Sequence, residues 1–364
     1  MKIKLLVSVS LIAAGSLMAQ NNTPPATPPA TPPAGGDTVK TNIATTPEQR
    51  AQLSYNKGIA DFTKGDYKAA KTDFDTAIAL KPTFEEAYLN RGNTNLKLKD
   101  YTNASADYNK TLIINGNNDK AYYGLGQVEN ALGHSDKAND AFSHVIQLNP
   151  KNADAFYYRG EIRFAMKQYK DAEDDFSQAI AWKPGYAEAY NDRGSCKVEL
   201  KDYKGAIDDY KQSASSSKLA TTYNNLGSAQ RKNGQLDAAI DSYSQAIALK
   251  ADYYIAYNNR GTAKFDKGDY QGAITDFNKT IELNAKYSYA YNNRASAEFK
   301  MKDYAKSKAD CDQAIQIDPN YGAAYLNRGI AEEMLRKQDD ACSDWKKAAT
   351  LGVTVGKDYS QDCQ

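Results

Sequence analysis

Histidine and tryptophan are nearly missing from this chain of 364 residues, which holds two of each. His134 and His144 have no cysteine or carboxylate at ligand spacing, so no zinc site can be read from them. Charge of one sign is missing too. The 46 basic and 45 acidic residues leave a net charge of +1, with no electrostatic footprint for nucleic acid. No glycine-rich loop of phosphate-binding spacing occurs. No motif brings a nucleophile, a base and an orienting group together, so neither catalysis nor a cofactor is expected.

Long apolar runs are confined to one place. Lys2 and Lys4 precede an apolar stretch from Leu5 to Leu17, too short to cross a bilayer comfortably. Residues 1–19 therefore read as a secretory signal with cleavage after Ala19, an uncleaved membrane anchor being the alternative. No cysteine follows the run, so no lipid anchor is expected there. Residues 20–50 contain TPPATPPATPPAGG and have little to bury, which predicts a disordered, semi-rigid linker favouring polyproline II. Such a linker either holds the rest of the chain off a membrane or wall, or shows proline motifs to a partner.

Tyrosine, by contrast, is plentiful, with 27 copies. A short phrase also returns: Gly58, Gly92, Gly126, Gly160, Gly194, Gly227, Gly261, Ala295 and Gly329 recur every 34 residues, with one step of 33 between Gly194 and Gly227. A fixed period of this length means a stack of like units, each unable to bury its apolar face alone. Within 255–286, Ala256, Tyr257, Gly261 and Ala263 share one face and predict a first helix of about three turns. Lys267-Gly268-Asp269 breaks it, with glycine as C-cap and aspartate as the next N-cap. A second helix carries Tyr270, Ala273, Ile274, Phe277 and Ile281 on its apolar stripe. Gly261 has no side chain, so the two helices can approach, and Phe277 fills the space beside small Ala273. The small position recurs from Ala70 to Ala341, with Ser307 the one substitute. The bulky one recurs from Phe74 to Trp345, interrupted by Cys311. Pro82, Pro150, Pro184 and Pro319 end second helices.

This pattern resembles the tetratricopeptide repeat, with its aromatic, Leu-Gly, Tyr, then Ala, Phe and Pro at set offsets. The resemblance implies an all-α, right-handed superhelical solenoid of about nine helix-turn-helix repeats over 51–353, closed by a capping tail over 354–364. The family's first aromatic is Ser54 in the first copy. Its leucine before glycine is arginine in six copies, including Arg91, Arg159 and Arg260. Three residues after that glycine stands a polar residue, as at Asp61, Asn95 and Lys264. An aromatic one place later (Phe62, Phe164, Phe265, Phe299) is expected to substitute in the packing. The fifth repeat is one residue short and its second helix runs into Ser213-Ala214-Ser215-Ser216-Ser217, which predicts a local irregularity. Acidic pairs such as Asp174-Asp175 and Asp208-Asp209 read as solvated faces of second helices.

The resemblance also implies a concave groove, lined by the first helices, that takes a protein or extended peptide. Its inward offsets place Asn191 with Ser195, Asn224 with Ser228, Asn258 with Thr262, and Asn292 with Ser296. Each pair is one helical turn apart and able to hydrogen-bond a peptide backbone. The alternative is that these asparagines belong to a common repeat consensus. Earlier repeats offer Tyr55, Leu89, Tyr123 and Tyr157 at the same offset, an aromatic strip suited to anchor side chains. Offset five is never lysine, which argues against a clamp for the C-terminal carboxylate of a heat-shock chaperone.

Cys196 and Cys311 stand at core positions and are expected as buried thiols. Cys342 and Cys363 bracket the last helix and tail. In an oxidising setting a bridge there would contribute roughly 3 kcal/mol; two free thiols are the alternative. The expected function is an exported, non-catalytic scaffold, periplasmic or at the cell surface. An envelope-structural protein contacting glycan or peptidoglycan, and an accessory subunit of a secretion or enzyme complex, remain as rivals.

Overall fold

A computed structural model describes residues 46–361 and 363. The signal expected over 1–19, and nearly all of the linker expected over 20–50, lie outside the described residues. Among the described residues the structure is helices joined by short connections, without a strand. The chain divides into two compact units, with the division between Cys196 and Lys197.

The first unit holds α1 (Pro47–Thr63), α2 (Tyr67–Leu80), α3 (Glu85–Lys97), α4 (Tyr101–Ile114), α5 (Asp119–Ala131), α6 (Ser135–Leu148), α7 (Ala153–Ala165), α8 (Tyr169–Trp182) and most of α9 (Ala187–Glu199). The second holds α10 (Tyr203–Ser216), α11 (Ala220–Lys232), α12 (Leu236–Leu249), α13 (Tyr254–Lys267), α14 (Tyr270–Leu283), α15 (Ser288–Lys300), α16 (Tyr304–Ile317), α17 (Gly322–Met334), α18 (Gln338–Thr350) and the short α19 (Val355–Ser360). Within each unit consecutive helices pack in pairs, and each pair packs on the next.

Local chemistry sets the boundaries. α1 begins inside the stretch expected to be linker, because Thr46 and Gln49 form a reciprocal capping box ahead of Pro47. Asp66, Asp100, Asp202, Asp269 and Asp303 open second helices by accepting from the backbone N–H three residues on. The corner between the paired helices needs a left-handed residue. Gly65, Gly133, Gly234 and Gly268 supply it in four repeats, and Lys99, Lys167, Lys201, Lys302 and Arg336 in the others.

A Cβ added at Gly261 would lie 2.7 Å from Cε1 of Phe277, so the ring packs where that side chain would be. In the eighth repeat the ring gives way to Cys311 and the glycine to Ala295, both fully buried. The displaced aromatics do take up packing: Phe62 meets Tyr67, Phe164 meets Tyr169, Phe265 meets Tyr270 and Phe299 meets Tyr304 at 5.0–5.4 Å between centroids. The short fifth repeat loses its residue from the connection 217–219, which is one shorter than 250–253, while α10 keeps all 14 residues. At the C-terminal end α19 packs on α18, Tyr359 lies 5.1 Å from Trp345, and Cys342 is disulfide-bonded to Cys363. Cys196 and Cys311 are buried, apart from that disulfide.

Candidate binding surface and the bonds between repeats

In the second unit the inward asparagines form a ladder. Asn259 Nδ2 donates to Asn224 Oδ1 at 3.0 Å, Asn293 to Asn258 at 3.0 Å, and Asn327 to Asn292 at 2.9 Å. Each rung joins one repeat to the next. The hydroxyls of Ser228, Thr262 and Ser296 turn back one helical turn and donate to the backbone carbonyls of Asn224, Asn258 and Asn292. All three asparagines are buried. Their carbonyl oxygens already serve the fold, and the amide of Asn292, 1% exposed, lies against the Tyr321 hydroxyl, so a ligand can reach an amide NH2 only at Asn224 and Asn258.

The first unit uses other side chains at the same places. Asn90 Nδ2 donates to the Tyr55 hydroxyl at 2.9 Å, and the Tyr157 hydroxyl donates to Asp192 Oδ2 at 2.9 Å and to Glu161 Oε1 at 3.3 Å. Asn191 Nδ2 donates to Asp192 Oδ1 at 3.0 Å, and Ser195 bonds back to the Asn191 carbonyl. Burial, then the neighbouring Asp192 charge, pushes the Glu161 carboxyl up to about 8; burial pushes Asp192 up to about 6. Tyr123 stands edge-on to Phe142 at 5.5 Å and Tyr158 at 6.0 Å. Tyr157 lies 4.8 Å from Tyr186 and 5.3 Å from Tyr158. Tyr123 and Tyr157 thus belong to one buried aromatic cluster with acids at its edge, and Leu89 is likewise buried, in the core around Tyr108.

The departures from the family pattern have a structural role that sequence reasoning missed. Arg159 forks onto Asp175 of its own second helix at 2.7 and 3.0 Å, and reaches Ser143 on the preceding second helix at 3.0 Å. Arg260 repeats the fork on Asp276, with Ser244 behind. Arg91, Arg294 and Arg328 do so on Asp107, Asp310 and Asp344. A tyrosine of the first helix lies against several of these guanidinium groups, as Tyr257 does at 5.5 Å. The residue polar after the glycine often completes the set: Asn95 donates to Asp107, and Lys264 pairs with Asp276. The signal was available as an arginine and an aspartate sixteen apart.

One reading of the acidic pairs is corrected here. Asp175 and Asp209 are not solvated but 2% and 3% exposed. Asp175 pairs with Arg159 and Arg163, and Asp209 with Lys197 at 2.7 Å, because a buried carboxylate needs such partners. His134 pairs with Glu129 at 2.7 Å and His144 stacks on Tyr122. Among the described residues no group of His, Cys, Asp and Glu is placed to hold a metal ion.

Family models described as tetratricopeptide repeat or TPR repeat match residues 58–99, 85–118, 123–187, 163–218, 224–290 and 288–321. Among curated protein sequences none matches the chain. Solved structures do. The C-terminal part of a TPR repeat-containing protein from Cytophaga hutchinsonii is 20% identical, with a TM-score of 0.55 over 66% of this chain and 98% of that one. The Cut9–Hcn1 hetero-tetramer of the APC/C gives 15% identity and a TM-score of 0.53 over 89% and 78%. The pilF protein of Pseudomonas aeruginosa gives 15% and 0.51 over 58% and 96%. At these identities the likeness is one of fold. Repeat period, helix pairing, glycine–ring contacts and family matches agree, and the chain belongs to the tetratricopeptide repeat family.

Proposed function

We propose that this chain is an exported, non-catalytic scaffold whose first helices hold a protein segment in extended form. The observation that carries this reading is the regular ladder of one asparagine per repeat at Asn224, Asn258 and Asn292, whose amides recur at a fixed spacing. Hydrogen bonds at a fixed repeat suit a peptide backbone, which offers carbonyls regularly whatever its side chains. In the other unit, taken by itself, Asn191 with Ser195 beside it stands at the same offset, while Tyr123 and Tyr157 are 8% and 9% exposed and would touch an anchor residue only at their edges. The disulfide between Cys342 and Cys363 suits an oxidising compartment. No described helix is long and apolar enough to cross a membrane.

The test uses the full chain as bait in envelope extract and, separately, with purified cell wall. A protein retained from extract, and lost when Asn224, Asn258 and Asn292 are together changed to aspartate, supports the reading. Aspartate keeps the acceptor each rung needs but replaces the NH2 group with an oxygen and adds a buried charge, so a helical melt is required to separate lost binding from lost fold. Retention of wall glycan with no protein would favour the envelope-structural role instead.

A further inference from the structure

The arginine fork fails in the sixth repeat, and it fails with a change of sign. Leu226 stands where Arg159 and Arg260 stand in their repeats, and Ser242 where they meet Asp175 and Asp276. On the preceding second helix Lys211 occupies the place from which Ser143, Ser244 and Asn278 accept an arginine N–H elsewhere. The third repeat also lacks the fork, but with apolar Leu125 and Ala141 and neutral Asn109 in those three places. Only in the sixth does a cation face the space that a guanidinium would fill.

That space opens into a shallow, solvent-facing cavity of about 480 Å³ between α10, α11 and α12. Ala214, Leu226, Ala238 and the Tyr223 ring give it apolar walls, and Lys211 and Lys218 line it from the α10 side. Neither lysine has an ion pair among the described residues. Gln230 and Ser242 also line it; the serine hydroxyl donates to Gln230 Oε1 at 2.7 Å, so the amide NH2 is the group left to donate. Asp241 and Gln245, from α12, bring acceptors to the same cavity.

We propose that this cavity receives an acidic side chain of a partner peptide, an aspartate or glutamate beside an apolar residue. The two lysines and the Gln230 amide answer the carboxylate, the Tyr223–Leu226 wall answers the apolar neighbour, and Asp241 and Gln245 accept the peptide N–H groups. A bare inorganic anion would meet the Asp241 charge with nothing to offer it.

Ligand-detected NMR on the full chain tests this with the capped tripeptide acetyl-Leu-Glu-Leu-amide. It should bind in the millimolar range or tighter, and the Gln analogue about tenfold or more weakly. Lys211→Ser with Lys218→Ser should lose the preference for Glu over Gln. Lys211→Ser, Leu226→Arg and Ser242→Asp together rebuild the fork, fill the cavity, and should abolish binding while the helical melt is kept. Equal binding of the Gln peptide, undiminished binding to the refilled variant, or no binding of the Glu peptide at millimolar concentration would each overturn the proposal. Propionate binding as well as the peptide would assign the cavity to free small carboxylates and overturn the peptide source.

Discussion

Each Arg–Asp fork takes two charges out of water and satisfies both, so the two residues cannot be judged singly. Asp276→Ala strands Arg260 and Lys264 beside a half-buried gap and should cost about 3–5 kcal/mol in denaturant unfolding. Arg260→Leu with Lys264→Gln and Asp276→Ser copies Leu226, Gln230 and Ser242 and should cost far less than Asp276→Ala alone. In the last two repeats the completing residue is itself an acid. Burial, then the charge of Asp310, pushes the Glu298 carboxyl up to about 7 against the opposing pull of Arg294, and burial, then the charge of Asp344, raises Glu332 to about 7. Both carboxyls have an oxygen buried without a hydrogen-bond partner. A carboxyl raised above its unfolded value of 4.5 stabilises the fold while protonated, and that stability is lost as pH rises through about 7. The melting temperature should therefore fall between pH 5 and pH 8. Glu298→Gln with Glu332→Gln should flatten that slope and gain about 1 kcal/mol per site at pH 8, since glutamine can donate as Asn95 donates to Asp107. A double variant that keeps the slope would assign it to other acids.

At the scale of the helix pair, the corner residue is the least comfortable part of the design. Lys167 sits at φ 61°, a conformation that costs an L-residue about 1–2 kcal/mol, where Gly268 sits at φ 90° without that cost. Lys167→Gly should raise stability by about 0.5–1 kcal/mol, after glycine's own entropy loss, read as a higher urea midpoint. The helix pairs were legible in the sequence because their cause repeats there: Gly261 against Phe277, and Ala295 against Cys311, change together at the family's own offsets. The forks were not legible in the same way. Arg159 and Asp175 lie sixteen apart, on two antiparallel helices, and a charge meeting its partner is written with the same letters as a charge meeting water. Asn224 and Asn259 are further apart still, and the one-residue shift from a pure 34-residue repeat hid their bond from a reading at fixed offsets.

At the scale of the whole chain, a stack of like units has an end-group problem that closed domains lack. Every helix pair shows its neighbour a face made to be covered, and among the described residues no further pair follows α17 and α18. Here α19 covers it. Gly322, without a side chain, lets Val353 and Leu351 come close, Tyr359 packs on Trp345, and the disulfide fastens the tail to α18. Uncovered, that face would accept the leading helix of a second copy, a head-to-tail contact that does not close on itself and so propagates. Covering that face, the tail would end such a row. Reduction, or Cys363→Ser, should leave the helical content unchanged and raise the average mass by light scattering with increasing protein concentration. A strictly constant monomer mass would show that the tail holds its place without the bond. A mass that rises only in the reduced protein would make oxidation state the control on how many copies join in a row.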